Sequence, residues 1–488
     1  MLLVSFLSSL GRSLGRGAVR RRSRLSDRRQ TGLVSVSERL EARTLLVVTI
    51  GSTNVDALLT DVDGDGLADP GDTLQHTVTI TNSGNMDATG VNLNVNEDSN
   101  TTLVGGSIRI TPIAFDDAYA LTGNTPITIN AAAGVLANDI DPDSSTPLSN
   151  VGLTAVSLNV TGTTGSVSLN TNGSFTYTPA TGFNGTDTFQ YTARDATSLN
   201  SLVTGTVTMT VSGMVWYVDS SYGGGNGAAD GSFNRPFTSL APLNGAGGGG
   251  DADAAGHTIF VYESGASYST GLELENSQIL IGESAGLSIN GTTIGGSGSA
   301  PTISRATGST IALATSNDLR GLNVTNSAGS GITGTAVGTL LLSNLSATVT
   351  GGTALSLTTS GTVSSSGTNN LTSTNGTALN VSDVTIAAAG LTFRSISSGS
   401  GAGSAGVGIN LVNTGTSGGL TVTGTGSAGS GGTIQHKTGA DGSTTAGIGI
   451  FLNNTRNVAL NWMQLNDFDN FAIRGTSVTN FSLIDSIV

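Results

Sequence analysis

The chain has 488 residues, of which 71 are glycine, 11% are charged, 5% are aromatic and none is cysteine. That length exceeds one ordinary domain, and the missing cysteines exclude disulfides, thiolate metal sites and a cysteine nucleophile. Ten of the 19 basic residues are arginines within the first 43 positions, leaving an acidic body that argues against nucleic acid or anionic membrane as partner and suits cations.

Hydrophobic residues still make up 37% of the chain, which makes wholesale disorder a poor reading. They are chiefly β-branched or small and are punctuated by glycine, so they describe many short strands joined by tight turns, an all-β protein. No run of 18 apolar residues occurs, so no transmembrane helix is expected.

Residues 1–50 stand apart from the fold as an arginine-rich export leader or disordered tail. An apolar start, residues 1–10, precedes Arg12, Arg16, Arg20, Arg21, Arg22, Arg24, Arg28 and Arg29, the reverse of the ordinary signal-peptide order. Residues 40–46, L-E-A-R-T-L-L, resemble the L-E-x-R-x-L-L box that closes the leader of many large exported planctomycete proteins. The resemblance implies sorting to the cell exterior or surface.

Residues 51–112 form the first expected module. In D-V-D-G-D-G-L-A-D-P-G-D (residues 61–72) the carboxylates Asp61, Asp63, Asp65, Asp69 and Asp72 fall at positions 1, 3, 5, 9 and 12. Gly66 sits at the sharp turn, and Leu67 would offer its backbone carbonyl. That spacing is the pattern of a calcium loop, although position 12 is Asp rather than Glu and no helical flanks are visible, so an EF-hand is not expected. A solvated acidic turn is the bland alternative. Beyond it, Leu74, His76, Val78 and Ile80 alternate with polar residues, which predicts a strand with His76 on its core face. The block resembles a G-D-T-L-x-Y-T-V-T-V-T-N-x-G-N repeat of bacterial surface proteins, and a β-sandwich is implied.

Residues 113–212 resemble the bacterial immunoglobulin-like, cadherin-like repeats of long adhesins. The resemblance rests on A-F-D-D-A-Y-A (114–120), G-V-L-A-N-D-I-D-P-D (134–143) and G-S-F-T-Y-T-P-A-T-G-F-N-G-T-D-T-F-Q-Y (173–191). Phe175 with Tyr177, and Phe189 with Tyr191, lie two apart and so share one sheet face as core anchors. Asp116, Asp117, Asn138, Asp139, Asp141 and Asp143 are a second, weaker set of calcium candidates, with simple turn capping as the alternative.

Residues 213–488 are expected to form a right-handed parallel β-helix. V-W-Y-V-D (215–219), D-G-S (230–232), R-P-F (235–237) and T-I-F-V-Y (258–262) resemble the opening of pectate-lyase-like helices. Internal similarity supports coils: G-T-A-L-S-L (352–357) recurs 24 residues later as G-T-A-L-N-V. G-V-G-I-N-L-V-N-T (406–414) recurs 41 residues on, as two short coils or one with an insertion. Asn453, Asn454 and Asn457 are expected at coil corners in side-chain ladders. The chain stops mid-strand without a cap, which reads as a truncated solenoid.

A polysaccharide lyase or glycoside hydrolase is the rival function, since such chemistry needs a basic proton abstractor or paired carboxylates. The helix offers Arg305, Arg320, Arg394, Lys437, Arg456, Arg474, His257 and His436, and its nearest acidic pair, Asp467 and Asp469, reads as turn residues. The reading is therefore a non-catalytic, calcium-stabilised secreted or cell-surface protein of adhesion or of the envelope and matrix. Its expected partner is a surface or matrix polysaccharide or protein.

Overall fold

A computed structural model describes residues 47–86, 88, 91, 93, 99–146, 149–245, 251–401 and 403–488. The leader box at 40–46, Val95 (expected in a strand alternation with Val91 and Leu93) and the glycine run at 247–250 (which lacks the helix and lysine a phosphate loop needs) lie outside the described residues. Among those described, the secondary structure is strand with three short 3-10 turns, and no helix is long and apolar enough to cross a membrane. Two compact units emerge, residues 1–108 and 109–488.

In the first unit, β1 (Ile50–Thr60) and β2 (Thr73–Asn82) pair antiparallel, with Val55 opposite Thr77 and Leu58 opposite Leu74. The acidic stretch 61–72 is the loop between them. A sandwich needs a second sheet, and among the described residues of this unit the only sheet is this pair. His76 consequently departs from expectation. Its side chain is 54% exposed, and its Nδ1 lies 2.7 Å from Asp56 Oδ1 across the pair rather than in a core.

The second unit opens with a true sandwich. One sheet runs β3 (Asp117–Gly123), β9 (Gly205–Val218), β8 (Gly185–Arg194), β5 (Thr154–Asn159). The other runs β4 (Ile127–Ile129), β7 (Phe175–Thr178), β6 (Ser166–Leu169). The alternation that predicted the aromatic anchors holds: Phe175, Tyr177, Phe189 and Tyr191 are all buried in one cluster with Val207, Met209 and Val211. Phe175 and Phe189 meet edge to face at 5.4 Å, an arrangement the ring quadrupoles favour.

Strand β9 then crosses from one module into the next without a break. Its first half pairs with β8 and β3, and its last four residues pair in parallel with Thr258–Val261, named β10. Along β9 the burial changes from alternating to continuous at Met214, as expected when a strand leaves a half-exposed sheet for the covered wall of a coil. The expected boundary at 212–213 thus falls inside one strand, where Gly213 takes φ +70°.

From β10 onward the chain winds a parallel β-helix. In one wall Ile311, Ile332, Leu355, Leu379, Ile409 and Ile450 pair in succession, each fully buried. Burying each such side chain is worth roughly 1.5–3 kcal/mol, and only stacking can bury them, since a lone coil has no inside. The 24-residue repeat is a coil step: Leu355 pairs with Leu379 and Leu357 with Val381. The 41-residue spacing resolves as one coil with an insertion, because Ile409 pairs directly with Ile450.

Coil corners carry the asparagine ladders. Asn413 Nδ2 donates to Asp383 Oδ1 (2.7 Å) and Asn454 Nδ2 to Asn413 Oδ1 (2.9 Å); Asn480 Nδ2 donates to Asn457 Oδ1 (2.9 Å). All five residues have φ between 49° and 60°, a left-handed conformation that asparagine and aspartate tolerate better than most side chains. Asn453 joins instead through its backbone carbonyl, which accepts from Asn413 N–H.

Lys437 is fully buried, its Nζ donating to the Gly376 carbonyl (2.9 Å) and Ser404 Oγ (2.6 Å). Burial pushes its pKa from 10.5 down to about 8. Between those values the unfolded chain holds a proton that the folded chain lacks, so stability rises with pH across that window. Lys437→Met is expected to flatten this rise while keeping or raising the melting midpoint, since replacing buried charge by apolar volume is often neutral or stabilising. Calorimetry from pH 8 to 10.5 checks both effects.

Candidate metal centres

The β1–β2 loop folds around its first carboxylate. Asp61 Oδ1 accepts from Gly64 N–H (2.7 Å) and Oδ2 from Gly66 N–H (2.9 Å). Gly64 and Gly66 sit at φ +76° and +77°, where a side chain would be strained. Those two N–H groups, Gly66 first, hold the Asp61 carboxyl below its usual range. Asp65 Oδ1 accepts from Leu67 N–H at 2.7 Å. Asp61, Asp63 and Asp65 each bring one oxygen to within 4.8 Å of the others, an all-oxygen set that matches a hard cation.

Asp72 has a different job. Its two oxygens accept from Val62 N–H (2.9 Å) and Asp69 N–H (3.0 Å), so it closes the loop on itself. The five carboxylates in register therefore divide into three that converge and a closing residue, Asp72, that pins Asp69. The Leu67 side chain is exposed and carries no oxygen, so only its backbone carbonyl could serve as a ligand.

The six weaker candidates separate into two groups. In the first, Asp139 is buried, accepts from Phe115 N–H (2.8 Å) and receives the Tyr191 hydroxyl at 2.9–3.0 Å. Asp117 lies beside it with one buried oxygen, Oδ2, that has no partner among the described residues. Burial, then the charges of Asp139 and Asp116, push the Asp117 carboxyl up to about 7; burial pushes Asp139 up to about 6. Asp116 and Asn138 act as braces: Asp116 Oδ1 accepts from Thr206 N–H (2.8 Å), and Asn138 Nδ2 donates to the Asp116 carbonyl (3.1 Å).

The second group joins Asp141 and Asp143 to Asp195, again with one oxygen each inside 4.8 Å. Burial, followed by Asp143 and then Asp195, raises the Asp141 carboxyl. Sequence reasoning missed Asp195. The signal was present, because Asp187, Phe189, Tyr191, Ala193 and Asp195 continue one inward-facing, two-residue alternation past the end of β8.

The basic side chains of the helix are engaged with their neighbours. Arg320 pairs with Asp318 through its Nε (3.0 Å), Arg394 Nε donates to Asn370 Oδ1 (3.1 Å), and Arg456 and Arg474 donate to the carbonyls of Thr416 and Thr444. Asp469 accepts from Gly439 N–H, and Asp467 lies 3.5 Å from His436. Arg305 reaches the Ser309 carbonyl at the edge of a shallow groove lined by Ser269, Ser304 and Asn326.

Residues 110–213 match the family model of the bacterial cadherin-like domain. The chain thus carries a cadherin-like module that runs directly into a parallel β-helix. No curated protein matches it. Among solved structures, a family 28 exopolygalacturonase of Yersinia enterocolitica aligns at 9% identity, covering 63% of this chain and 85% of that one. Its TM-score of 0.12 is too low to bear on the activity of this chain.

Raised carboxyl values at Asp117 and Asp139 mean that the folded module binds protons the unfolded chain releases. That contribution is fully present below about pH 4 and is lost as pH rises through 6 to 7. In chelating buffer the sandwich transition is expected to fall across about pH 4–8, and Asp117→Asn to make that fall shallower, as followed by calorimetry.

Proposed function

We propose that the chain is a non-catalytic, secreted or cell-surface modular protein, braced by calcium, that serves in adhesion or in the structure of the cell envelope and matrix. The observation that carries this reading is the cadherin-like match at residues 110–213, in a module continuous with an elongated stack of coils. Such repeats belong to the cell exterior, and the arginine-rich leader would address the chain there, its expected end at residue 50 falling instead at the first residue of β1. The partner is a surface or matrix polysaccharide or protein.

Calcium would be held in the first unit by Asp61, Asp63 and Asp65, with the Leu67 carbonyl as a further oxygen. In the sandwich, Asp141, Asp143 and Asp195 form the second set. The ion would neutralise carboxylates that otherwise repel one another, stiffening a hairpin loop and a strand end. The commitment of the helix's arginines and Lys437 to structural contacts favours this reading over a lyase or hydrolase, whose reacting groups must face the substrate.

Calcium titration calorimetry of the full chain tests it, with an Asp63→Ala, Asp65→Ala variant for comparison. Saturable binding is expected with Kd on the order of 0.1–1 mM, as in extracellular modules, with one equivalent lost in the variant. Unchanged stoichiometry would sink the loop assignment. Release of unsaturated or reducing sugar ends from acidic polysaccharides would replace the non-catalytic reading by the enzymatic one.

A further inference from the structure

The first corner of the β-helix holds more buried acceptors than donors. Asp253, in the segment leading into β10, is 7% exposed. Its Oδ2 accepts from Gln278 Nε2 at 2.6 Å, and its Oδ1 is buried without a hydrogen-bond partner among the described residues. Glu275, at the corresponding corner of the next coil, approaches the same Nε2 with Oε2 at 3.4 Å, and its Oε1 is likewise buried and unpartnered. Gln278 is fully buried, and its Oε1 accepts from Glu275 N–H at 2.8 Å. That bond fixes which end of the amide faces the carboxylates. Two amide hydrogens then serve Asp253, Glu275 and the Ala254 carbonyl (3.2 Å).

The following coil shows the same device without the excess. Asn317, also fully buried, accepts from Ala314 N–H at 2.8 Å and donates to the carbonyls of Glu275 (2.7 Å) and Gln278 (3.3 Å). There a neutral amide meets neutral carbonyls. At the first corner the amide meets two carboxylates, and among the described residues neither is paired with a lysine or arginine. The nearby His257 offers no charge either. Its Nδ1 accepts from both Trp216 Nε1 (3.2 Å) and Ala254 N–H (3.0 Å), so that nitrogen bears no proton.

We propose that a hard divalent cation of the calcium class binds between Asp253 and Glu275, using the two buried oxygens that lack partners. Oxygen donors, two of them anionic, suit such an ion. Burial raises the Asp253 carboxyl to about 7, Gln278 opposes that rise, and Asp251 and Glu275 add to it. A proton is therefore the competing occupant. One proton would serve Asp253 and still leave Glu275 Oε1 bare. The ion would tie the first coil to the second beside Trp216, on the strand that the helix shares with the sandwich. This site is independent of the loop at 61–72 and of the Asp141 group.

Terbium titration of the full chain tests the site, read as tryptophan-sensitised luminescence and competed with calcium. The chain has two tryptophans, Trp216 and Trp462, and Trp216 reaches the site through His257. Saturable luminescence displaced by calcium is expected, falling at least tenfold in Asp253→Asn, in Glu275→Gln and in Trp216→Phe. It should persist in Asp63→Ala, Asp65→Ala, so failure of the loop and failure of this site are told apart. Glu275 is less buried than Asp253, so Glu275→Gln decides the question should Asp253→Asn fail to fold. Absence of sensitised luminescence, or luminescence undiminished in these variants, overturns the proposal. So does a melting midpoint that depends on pH near 7, shifts in Asp253→Asn and ignores calcium, since a proton then fills the corner.

Discussion

A parallel coil cannot stand alone, because its edge leaves a row of backbone N–H and C=O groups open and its apolar residues uncovered. Strand β9 meets that constraint at one end of the helix. Its C-terminal residues 215–218 give the first coil a ladder to stack on, while its N-terminal half is held between β8 and β3 of the sandwich. Side chains then fasten the corner that β9 turns. Asn290 exchanges hydrogen bonds with Thr122 and donates to the Thr125 carbonyl, Thr125 meets the Tyr217 hydroxyl at 2.7 Å, and Thr181 donates to Asp230. The sandwich is therefore an end cap of the solenoid as much as a module in its own right.

Inside the helix two rules divide the labour. Walls are filled by Ile, Leu and Val in register, and corners are turned by residues that tolerate left-handed backbone and bond to their counterpart one coil away. Asp383, Asn413 and Asn454 do both at once, since positive φ bends the chain and the side chain fixes the register that the next wall inherits. Lys437 breaks the first rule. It is an interior cation held by a carbonyl and a hydroxyl rather than a carboxylate, and its depressed pKa measures the mismatch.

What was legible in the sequence was whatever depends on period. The two-residue alternation at Phe175, Tyr177, Phe189 and Tyr191 placed the sandwich core, and the 24-residue echo placed a coil step. What was not legible depends on partners distant in sequence. The alternation that put His76 on a core face was real, but among the described residues no second sheet covers the strand pair, and most of β2 is exposed or only half-buried. The 41-residue spacing fitted one coil or two until the pairing of Ile409 with Ile450 chose between them. Likewise the acidic run from Asp116 to Asp143 looked like one set. The chain returns through Asp195, and Tyr191 claims Asp139, so the run divides in two.

Carboxylates carry the same lesson into chemistry, because burial alone does not decide whether one needs an ion. Asp187 is as buried as Asp141 or Asp195. Burial raises its pKa, yet the Tyr177 hydroxyl (2.6 Å) and the N–H groups of Gly165, Thr164 and Thr188 more than offset that and hold it low. A carboxylate supplied with donors is stable as an anion and asks for nothing further. Asp117, Asp141 and Asp253 are pushed the other way, each facing further carboxylates, and Asp117 and Asp253 each keep a buried oxygen unpartnered among the described residues. For each of them a proton relieves the burial of charge, at about pH 7 for Asp117 and Asp253, and a cation would do the same under the calcium reading proposed above.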